Sequence, residues 1–511
     1  MQYDLPPSVR EHTSYKEAPM NPKRWLCLAA VLVPVSTVVH ASSPDTLWTG
    51  AYGGDTAEEI RCISATDDGG FVFSGSVWMT TPVEQSDVYV GRIDANGDSL
   101  WTTHFGGGGS DVGYAVRETP DDGFIVAGMY SAVGTDDRNV YLVKLNSMGG
   151  VEWQKFFGGP QNDEARDVQV LVGDGGYIIT GFTRSFGAYG SDVYVIRTTA
   201  DGDSIATHHY NYSINDVGMS ICETVDAYVV CGHTQSPTDY DLMIMQTSTH
   251  LDPEWVQQYG GSGNDIGFSV KVTPVDFGFI IGGETSSFGA GGMDGWALKT
   301  DASGDTLWTR TVGDADYNRF FGADLCPDGG YAFAGQYASV PFENRKFYAA
   351  KLDAGGTLLW EQTYGPIGDE CVALSMQHVP AGGFIMGGYV TWTADDNRDA
   401  FVVRLAEEGP SAVESPDSGA PPVAVRVTPN PSSGSVRVVF DSEADGVVQA
   451  TICDAAGRLV ARPWTRTLDA HLRVLEWDGK GLDGRPAAPG VYFYGLTTEG
   501  RHLAGSLVRT R

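Results

Sequence analysis

Short runs in which apolar and polar side chains alternate, such as VYLVKL at Val140–Leu145, recur between Thr46 and Leu405. Alternation with period two places successive side chains on opposite faces of a half-buried strand, and no stretch here keeps apolar residues at i, i+3, i+4 and i+7 for three turns. The region therefore reads as all-β. The runs also come in a fixed order, clearest from Tyr259 to Trp308: YGGSGND, IGFSVKVT, FIIGGETSSFGAGGMD, then GWALKTDASGDTLW. Four strands per copy follow. Asn96-Gly97 and Ser303-Gly304 supply the positive φ that tight hairpins need, and Asp68-Gly69-Gly70, Asp174-Gly175-Gly176 and Asp328-Gly329-Gly330 do so at the next turn.

Trp48, Trp101, Trp153, Trp255, Trp308 and Trp360 recur every 52 or 53 residues, with one double step between Trp153 and Trp255 in which Ile205 is expected to fill the slot. A fixed period near fifty residues means one supersecondary unit copied along the chain, each copy needing neighbours to cover its apolar faces. Four-stranded antiparallel sheets repeated radially make a β-propeller. The third strand of each copy gives the count: Val88–Ile93, Val140–Leu145, Val193–Thr198, Leu242–Thr247, Gly295–Thr300, Phe347–Leu352 and Phe401–Leu405 predict seven blades. No Trp strand follows the last of these, whereas an unpartnered one, Thr46–Tyr52, precedes the first copy. The N-terminal strand is thus expected to complete blade seven, with Leu47 and Trp48 beside Phe401–Leu405, which removes an open sheet edge. The Trp column is read as packing that fills the wide outer wedge between blades.

YGGSGND, DDGFIVAG (Asp121–Gly128), DGGYIITGFTRSFGAYGSDVYVIR (Asp174–Arg197) and VYLVKLN (Val140–Asn146) resemble the copies of bacterial propeller-repeat proteins. The resemblance covers Thr46–Leu405. It implies the fold and a surface or secreted setting, and it implies no activity.

Past residue 406 the texture changes. AEEGPSAVESPDSGAPPV is rich in Pro, Ser and acids without alternation, so residues 407–424 read as a solvated linker. About seven short strands follow in residues 425–511, which fits an immunoglobulin-like sandwich. PNPSSG (Pro429–Gly434), D..GRLV (Asp454–Val460), WDGK…DG (Trp477–Gly484), APGVYFY (Ala488–Tyr494) and the terminal LVRTR resemble the module shared by type IX secretion sorting domains and flagellar hook-capping proteins. In that family the module directs passage across the outer membrane, so the resemblance implies the outer-membrane secretion machinery as a partner. A plain terminal spacer domain is the alternative.

At the other end, Lys23 and Arg24 precede an apolar run from Trp25 to Val39 and the small-residue site Val39-His40-Ala41. This is the pattern of a secretory signal peptide, too short for a membrane span. Residues 1–41 are accordingly read as an N-terminal extension plus signal, with Met20 the natural start, and residues 42–406 as the propeller. Cys27 has no lipobox context. The protein is expected to be secreted or attached to the bacterial cell surface, with no transmembrane segment in the mature chain.

Charge narrows the partners. Asp and Glu number 65 against 33 Lys and Arg, a formal charge of −32, which repels phosphate backbones and anionic lipid surfaces and argues against nucleic acid. Export permits disulfides, and Cys222 and Cys231, flanking a predicted turn at Asp226-Ala227, are expected opposite one another as a candidate bridge. No CxxC pair supports a zinc site.

A second column is acidic: Asp111, Asp163, Asp216, Asp265, Asp316 and Asp369, with Asp55 or Glu58 in the first copy. These stand where the outer strand of one blade hands over to the inner strand of the next. They are candidates for a ring of cation or polar-ligand groups near the channel mouth; the competing reading is that each caps its own turn. Ca2+ is the one cofactor left open, and DANGD (Asp94–Asp98) lacks the full spacing of an EF-hand. No catalytic residue is assigned. GxSxG and HExxH are absent, arginines are few, and His208 and His209 are adjacent, which sends them to opposite strand faces. The leading reading is a non-catalytic propeller for binding, adhesion or scaffolding, with glycans or surface proteins as partners. The alternative is an extracellular carbohydrate-active hydrolase or lyase with its site at the channel mouth.

Overall fold

Alternation becomes pairing in seven four-stranded antiparallel sheets, six of them ordered as in the chain from the axis outward and the seventh differing only in its outer strand. The computed structural model describes residues 43–407 and 426–509, except 80–84, 133, 135–136, 174, 188, 340–342, 394–396, 429–433, 442–448, 455–458, 464, 468–471, 483 and 499–500. The signal segment with Met20 and Cys27, the linker from 408 to 424, Asp174, and most of PNPSSG lie outside the described residues. The inner strands are Glu58–Ala65, Val112–Glu118, Asp163–Val170, Asp216–Glu223, Asp265–Val272, Tyr317–Leu325 and Glu370–His378, and they open blades one to seven.

Blade seven takes its fourth strand from the N-terminus. Thr46–Tyr52 runs antiparallel to Arg398–Leu405, with Thr46 opposite Leu405, Trp48 opposite Arg404 and Tyr52 opposite Ala400; a bulge falls at Leu47. Both ends of the repeat are thereby locked into one sheet, and the seam carries ordinary strand hydrogen bonds. Seven blades and their closure follow the spacing of the third strands.

Near the axis, inner strands approach closely enough for side chains to reach the neighbouring backbone, and every junction is bridged. Arg117 pairs with Asp167 at 2.8 Å, and Asp167 accepts from Ser220 Oγ at 3.0 Å and Ile221 N at 3.1 Å. Ser220 Oγ then accepts from Val270 N at 3.4 Å, and Ser269 Oγ donates to Ala323 O at 3.5 Å. Asp324 accepts from His378 N at 2.7 Å, Ser375 and Gln377 accept from Ile63 N and Ala65 N, and Arg117 Nη1 meets Cys62 Sγ at 3.1 Å to complete the circle. Hydrogen bonds to charged groups each stabilise by about 1.5–3 kcal/mol.

At the rim the gap is wider, and the tryptophans fill it. Trp48, Trp101 and Trp308 each pack edge-on or tilted against the first aromatic of the next blade's second strand (Phe71, Phe124, Tyr331). Each also donates its indole N–H to a carbonyl in that blade's outer hairpin: Ala95, Ser147 and Ala354, at 3.1–3.2 Å. The hairpin residue under the indole is glycine for two reasons. It holds a positive φ, and a Cβ at Gly149 or Gly356 would lie 2.8 Å from the ring of Trp101 or Trp308.

The junction between blades three and four has no tryptophan. In blade three, Ala206 and not Ile205 occupies the Trp slot, because Ala206 pairs with Arg197 as Trp101 pairs with Arg92 and Trp153 with Lys144. Ile205 is half exposed. Opposite Ala206, the glycine position of the blade-four hairpin carries Leu251, fully buried at φ 67°. The large and small members of the pair have changed places: Leu251 enters the volume left by the indole. Arg197 Nη1 donates to Thr249 O at 3.2 Å, the carbonyl that a Trp N–H serves elsewhere. The exchange keeps the wedge filled at the expense of a left-handed leucine, a conformation costing about 1–2 kcal/mol.

The expected cysteine bridge is not formed. Cys222 lies opposite Val229 and Cys231 opposite Ser220, so the two are two positions out of register, and both are free and buried. Burial pushes the Cys222 thiol up to about 12, which leaves it inert.

Residues 426–509 form two further four-stranded sheets. Arg426–Thr428, Val436–Asp441, Leu472–Trp477 and Thr465–Thr467 make one; Leu459–Ala461, Gln449–Asp454, Gly490–Thr498 and Arg501–Arg509 make the other. Val438, Leu475 and Trp477 from the first share a core with Ile452, Tyr494 and Leu507 from the second. Trp477 Nε1 donates to Lys480 O at 2.8 Å, so the WDGK turn is stitched to the core indole. Among the described residues no helix is long and apolar enough to cross a membrane.

Leu251→Gly is expected to destabilise the protein by about 2 kcal/mol, since the cavity term outweighs the relieved backbone strain. Ala206→Trp alone overpacks the same space, by about 1–3 kcal/mol. The double variant restores the pairing of the other junctions and should lose at least about 1 kcal/mol less than the sum of the singles. Thermal melting of all four proteins measures this, and simple additivity would show that the exchange is not coupled.

Candidate functional site

Each inner strand carries one β-bulge, always at the same step. The register shifts between Ile60 and Cys62, Gly113 and Ala115, Ala165 and Asp167, Gly218 and Ser220, Gly267 and Ser269, Phe320 and Gly322, and Ala373 and Ser375. A bulge leaves its extra residue unpaired and re-aims the side chain. The seven extra residues are Arg61, Tyr114, Arg166, Met219, Phe268, Phe321 and Leu374. All are large, all are partly exposed, and all line a central cavity of about 1150 Å³.

Chemistry divides this ring into two arcs. Blades one to three give Arg61, Tyr114 and Arg166, with the guanidinium carbons 5.9 Å and 4.3 Å from the Tyr114 ring centre. Arg166 also lies 5.7 Å from the Phe182 ring. Two nearly buried carboxylates anchor the arc, and each is shared by two arginines. Glu59 meets Arg61 at 2.5 Å and Arg398 at 3.4 Å, and Glu164 meets Arg138 at 2.6 Å and Arg166 at 2.8 Å. Arg166 Nε is buried without a hydrogen-bond partner. Nearby His233 is pushed down to about 4 by burial first and by Arg166 second, so it is neutral at neutral pH. Blades four to seven give Met219, Phe268, Phe321 and Leu374, an apolar wall on which Phe268 and Phe321 meet edge to face at 5.0 Å.

The end of the cavity at the DGG turns has the opposite character. Asp67, Glu118 and Glu223 line it. Glu118 accepts from Asp67 N at 2.7 Å and Glu223 from Val172 N at 3.3 Å. Leu482 and residues 485–490 of the C-terminal module line the same cavity.

The acidic column is split by the structure. Asp111, Asp163, Asp216 and Asp265 are fully buried and hold the turn before their own inner strand. Asp111 accepts from Gly107 N and Ser131 N, Asp163 from Gly159 N and Ser185 Oγ, Asp216 from Tyr212 N and Ser213 N, and Asp265 from Gly261 N and Ser287 Oγ. Burial pushes Asp111 up to about 6 against those two hydrogen bonds. Asp316 and Asp369 fall outside this set. Counting back three residues from each bulge, the slot is held by Asn318 in blade six, Cys371 in blade seven and Glu58 in blade one. Asp316 instead accepts from Tyr337 OH at 2.6 Å, and Asp369 from Thr393 N and Oγ1. Asn318 follows Trp308 by the same ten residues that separate Trp101 from Asp111, so the blade-six acid sits two places ahead of the slot in a turn of ordinary length, whereas the turn before blade seven, Trp360 to Cys371, is one residue longer. Among the described residues no group of three or more His, Cys, Asp or Glu is placed to hold a metal ion. In DANGD, Asp94 Oδ1 caps the hairpin by accepting from Asn96 N and Asp98 N.

The bulge ring escaped the sequence reading. Its signal was there: three residues after each acidic slot stands a large side chain whose chemistry changes from copy to copy while the surrounding pattern stays.

No protein-family model matches the chain, and no curated protein does. Solved propeller structures resemble it. A fungal alcohol oxidase of the AA5 family is 11% identical with a TM-score of 0.45, covering 92% of this chain and 100% of that one. The β-propeller domain of the Trilobed protease from Pyrococcus furiosus is 10% identical with a TM-score of 0.39, covering 73% and 100%. Polysaccharide lyase Uly1 is 10% identical with a TM-score of 0.36, covering 71% and 89%. Likeness at this level carries no argument about activity, and the propeller assignment stands on the seven sheets themselves.

Glu118 gives a pH prediction. Burial, reinforced by the charge of Asp67, pushes its carboxyl up to about 7 although the Asp67 N–H bond opposes this. A carboxyl raised in the folded state favours folding while protonated, so its contribution is complete below about pH 4.5 and is lost as pH rises through 7. Glu118→Gln keeps an acceptor for Asp67 N and removes the titration. The melting temperature of the variant minus that of the unmodified protein should climb between pH 4.5 and 7.5. A difference flat across that window would contradict the assignment; Asp111 titrates in both proteins and cancels.

Proposed function

We propose that the protein is an exported, non-catalytic β-propeller that binds its ligand in the central channel, with its C-terminal module serving in sorting or surface attachment. The observation that carries the reading is the bulge ring. Seven unpaired positions present arginine, tyrosine and large apolar side chains to one cavity, while the carboxylates beside them are engaged by arginines or by backbone N–H groups. Such a wall suits recognition by shape, charge and stacking.

For the C-terminal module, the strand orders support an immunoglobulin-like sandwich. Labelled in chain order A, B, C, C′, D, E, F and G, the two sheets run A-B-E-D and C′-C-F-G, the arrangement of that class. This agrees with the resemblance of WDGK and APGVYFY to sorting modules and favours the outer-membrane secretion machinery as its partner and the cell exterior as its location. Glycans and envelope proteins are the candidate ligands.

Two measurements test the reading. Cells expressing the full chain, fractionated and followed by mass spectrometry of the mature ends, should yield protein at the surface or in the medium that begins after Ala41. The same protein screened against glycans and cell-envelope fractions should bind without turnover. Retention in the cytoplasm defeats the export reading, and hydrolysis or elimination of a bound polysaccharide defeats the non-catalytic one.

A further inference from the structure

We propose that the DGG mouth of the channel is a docking surface for this chain's own C-terminal module, which closes on it as a lid. The inference goes beyond the binding reading above and stands or falls independently of it. The second residue past the end of each inner strand lies in the turn at this end, and in six of the seven copies it is apolar. Pro120, Val172, Val225 and Pro380 of this set are exposed and line the central cavity. The backbone of such a turn needs its Gly and Asp but has no use for an apolar side chain at this place. A recurring exposed apolar collar marks a surface made to be covered.

The other wall of the cavity names what covers it. Leu482, Pro486, Ala488 and Pro489 of the module line the same space, and all four are exposed. Their loop is shaped from within the module. Gly484 N donates to Gly481 O and Ala487 N to Gly479 O, both at 2.9 Å, while Arg509 Nε donates to Ala487 O at 2.7 Å and Tyr492 OH to Ala488 O at 2.6 Å. A loop fixed in this way loses little freedom on docking. Leu482 is 63% exposed, Val172 53% and Val225 46%, so the two apolar faces share one cavity without being packed together, the arrangement of a lid short of closure. The chain also leaves the propeller on this face. Leu405 pairs with Phe384 beside the corresponding turn of blade seven, and a Cβ on Gly382 in that turn would lie 2.9 Å from the Glu407 carboxylate. Residues 408–425 join this point to the module, so docking is intramolecular, at an effective concentration on the order of millimolar. Closure buries apolar surface on both sides and shuts this end of the channel to solutes.

The test is the reactivity of a thiol placed at the mouth of the full chain, Val172→Cys, toward a bulky polymer-linked maleimide; the native cysteines among the described residues are all buried. It is read in two backgrounds, Val225→Asp with Leu482→Asp and Val225→Asp with Leu482→Lys. All three positions are exposed, and the melting temperature of each protein is recorded. Like charges hold the lid off and opposite charges draw it down, so the first background should label roughly threefold faster or more at low salt, with the difference shrinking at high salt. Ile367→Cys, exposed in the turn at the opposite end of blade seven, should label at one rate in both. A photo-crosslinking benzoylphenylalanine in place of Leu482 should link within one molecule to the turns that hold Pro120, Val172, Val225 or Pro380. Equal Val172→Cys rates in the two backgrounds, the same difference at Ile367→Cys, or cross-links that never reach these turns would overturn the proposal. None of these outcomes bears on whether the channel binds a glycan or an envelope protein, which the ligand screen decides.

Discussion

A sheet fanned around an axis lies close to its neighbours at the hub and far from them at the rim, and this wedge dictates most of what the sequence does. No single kind of side chain fills such a gap. At the hub, small or polar residues such as Ser220, Ser269 and Ser375 let strands approach until hydroxyls and carboxylates reach the adjacent backbone. At the rim, an indole of the largest volume available closes the gap and satisfies a hairpin carbonyl with its N–H. The glycine beneath five of the indoles, from Gly97 under Trp48 to Gly356 under Trp308, belongs to the same solution, since any Cβ there would occupy the ring's place. Packing and turn conformation are therefore one constraint expressed twice.

Blade three shows how tight that constraint is. With alanine in the Trp slot, a leucine stands where the hairpin wants glycine, and an arginine serves the carbonyl that has lost its indole. Two residues, Ala206 and Leu251, have exchanged size because they share one volume, while Arg197, in the slot that holds Arg92, Lys144 and Arg404 elsewhere, turns to the acceptor left without an indole. Closure works by the same logic at larger scale: a blade missing its outer strand would expose both a sheet edge and a wedge face, and Thr46–Tyr52 covers both.

Alternation and period made the fold legible. Seven third strands, the four-strand count and the donated N-terminal strand can all be read because a turn glycine and a buried alternating run leave a mark in a single copy, and repetition multiplies it. Register was harder. Ile205 stands beside Ala206 where an averaged spacing puts the Trp slot, because the following copy is shorter than the rest; Asp316 and Asp369 draw the eye by being acidic, although the slots themselves hold Asn318 and Cys371. Cys222 and Cys231 missed one another for the same reason, a turn centred one residue from where composition put it. The site was least legible, since a bulge has no composition of its own and appears only when two strands are paired and counted.

That illegibility follows from what a bulge is. Every other position on an inner strand answers to a partner: a ladder hydrogen bond, a neighbouring blade, or a turn it caps. The bulged residue has left the ladder, faces the cavity, and touches few of the groups that fix the wedge. Arginine, tyrosine, methionine, phenylalanine and leucine can therefore succeed one another around the ring without altering the packing that closes it. The repeat holds the backbone constant and leaves seven side chains free of it, so the chemical asymmetry of the ring, cationic on one side and apolar on the other, is not demanded by the packing between blades. An arrangement that packing does not require, in a protein whose repetition would otherwise make every blade alike, is the observation on which the proposal of a channel site rests.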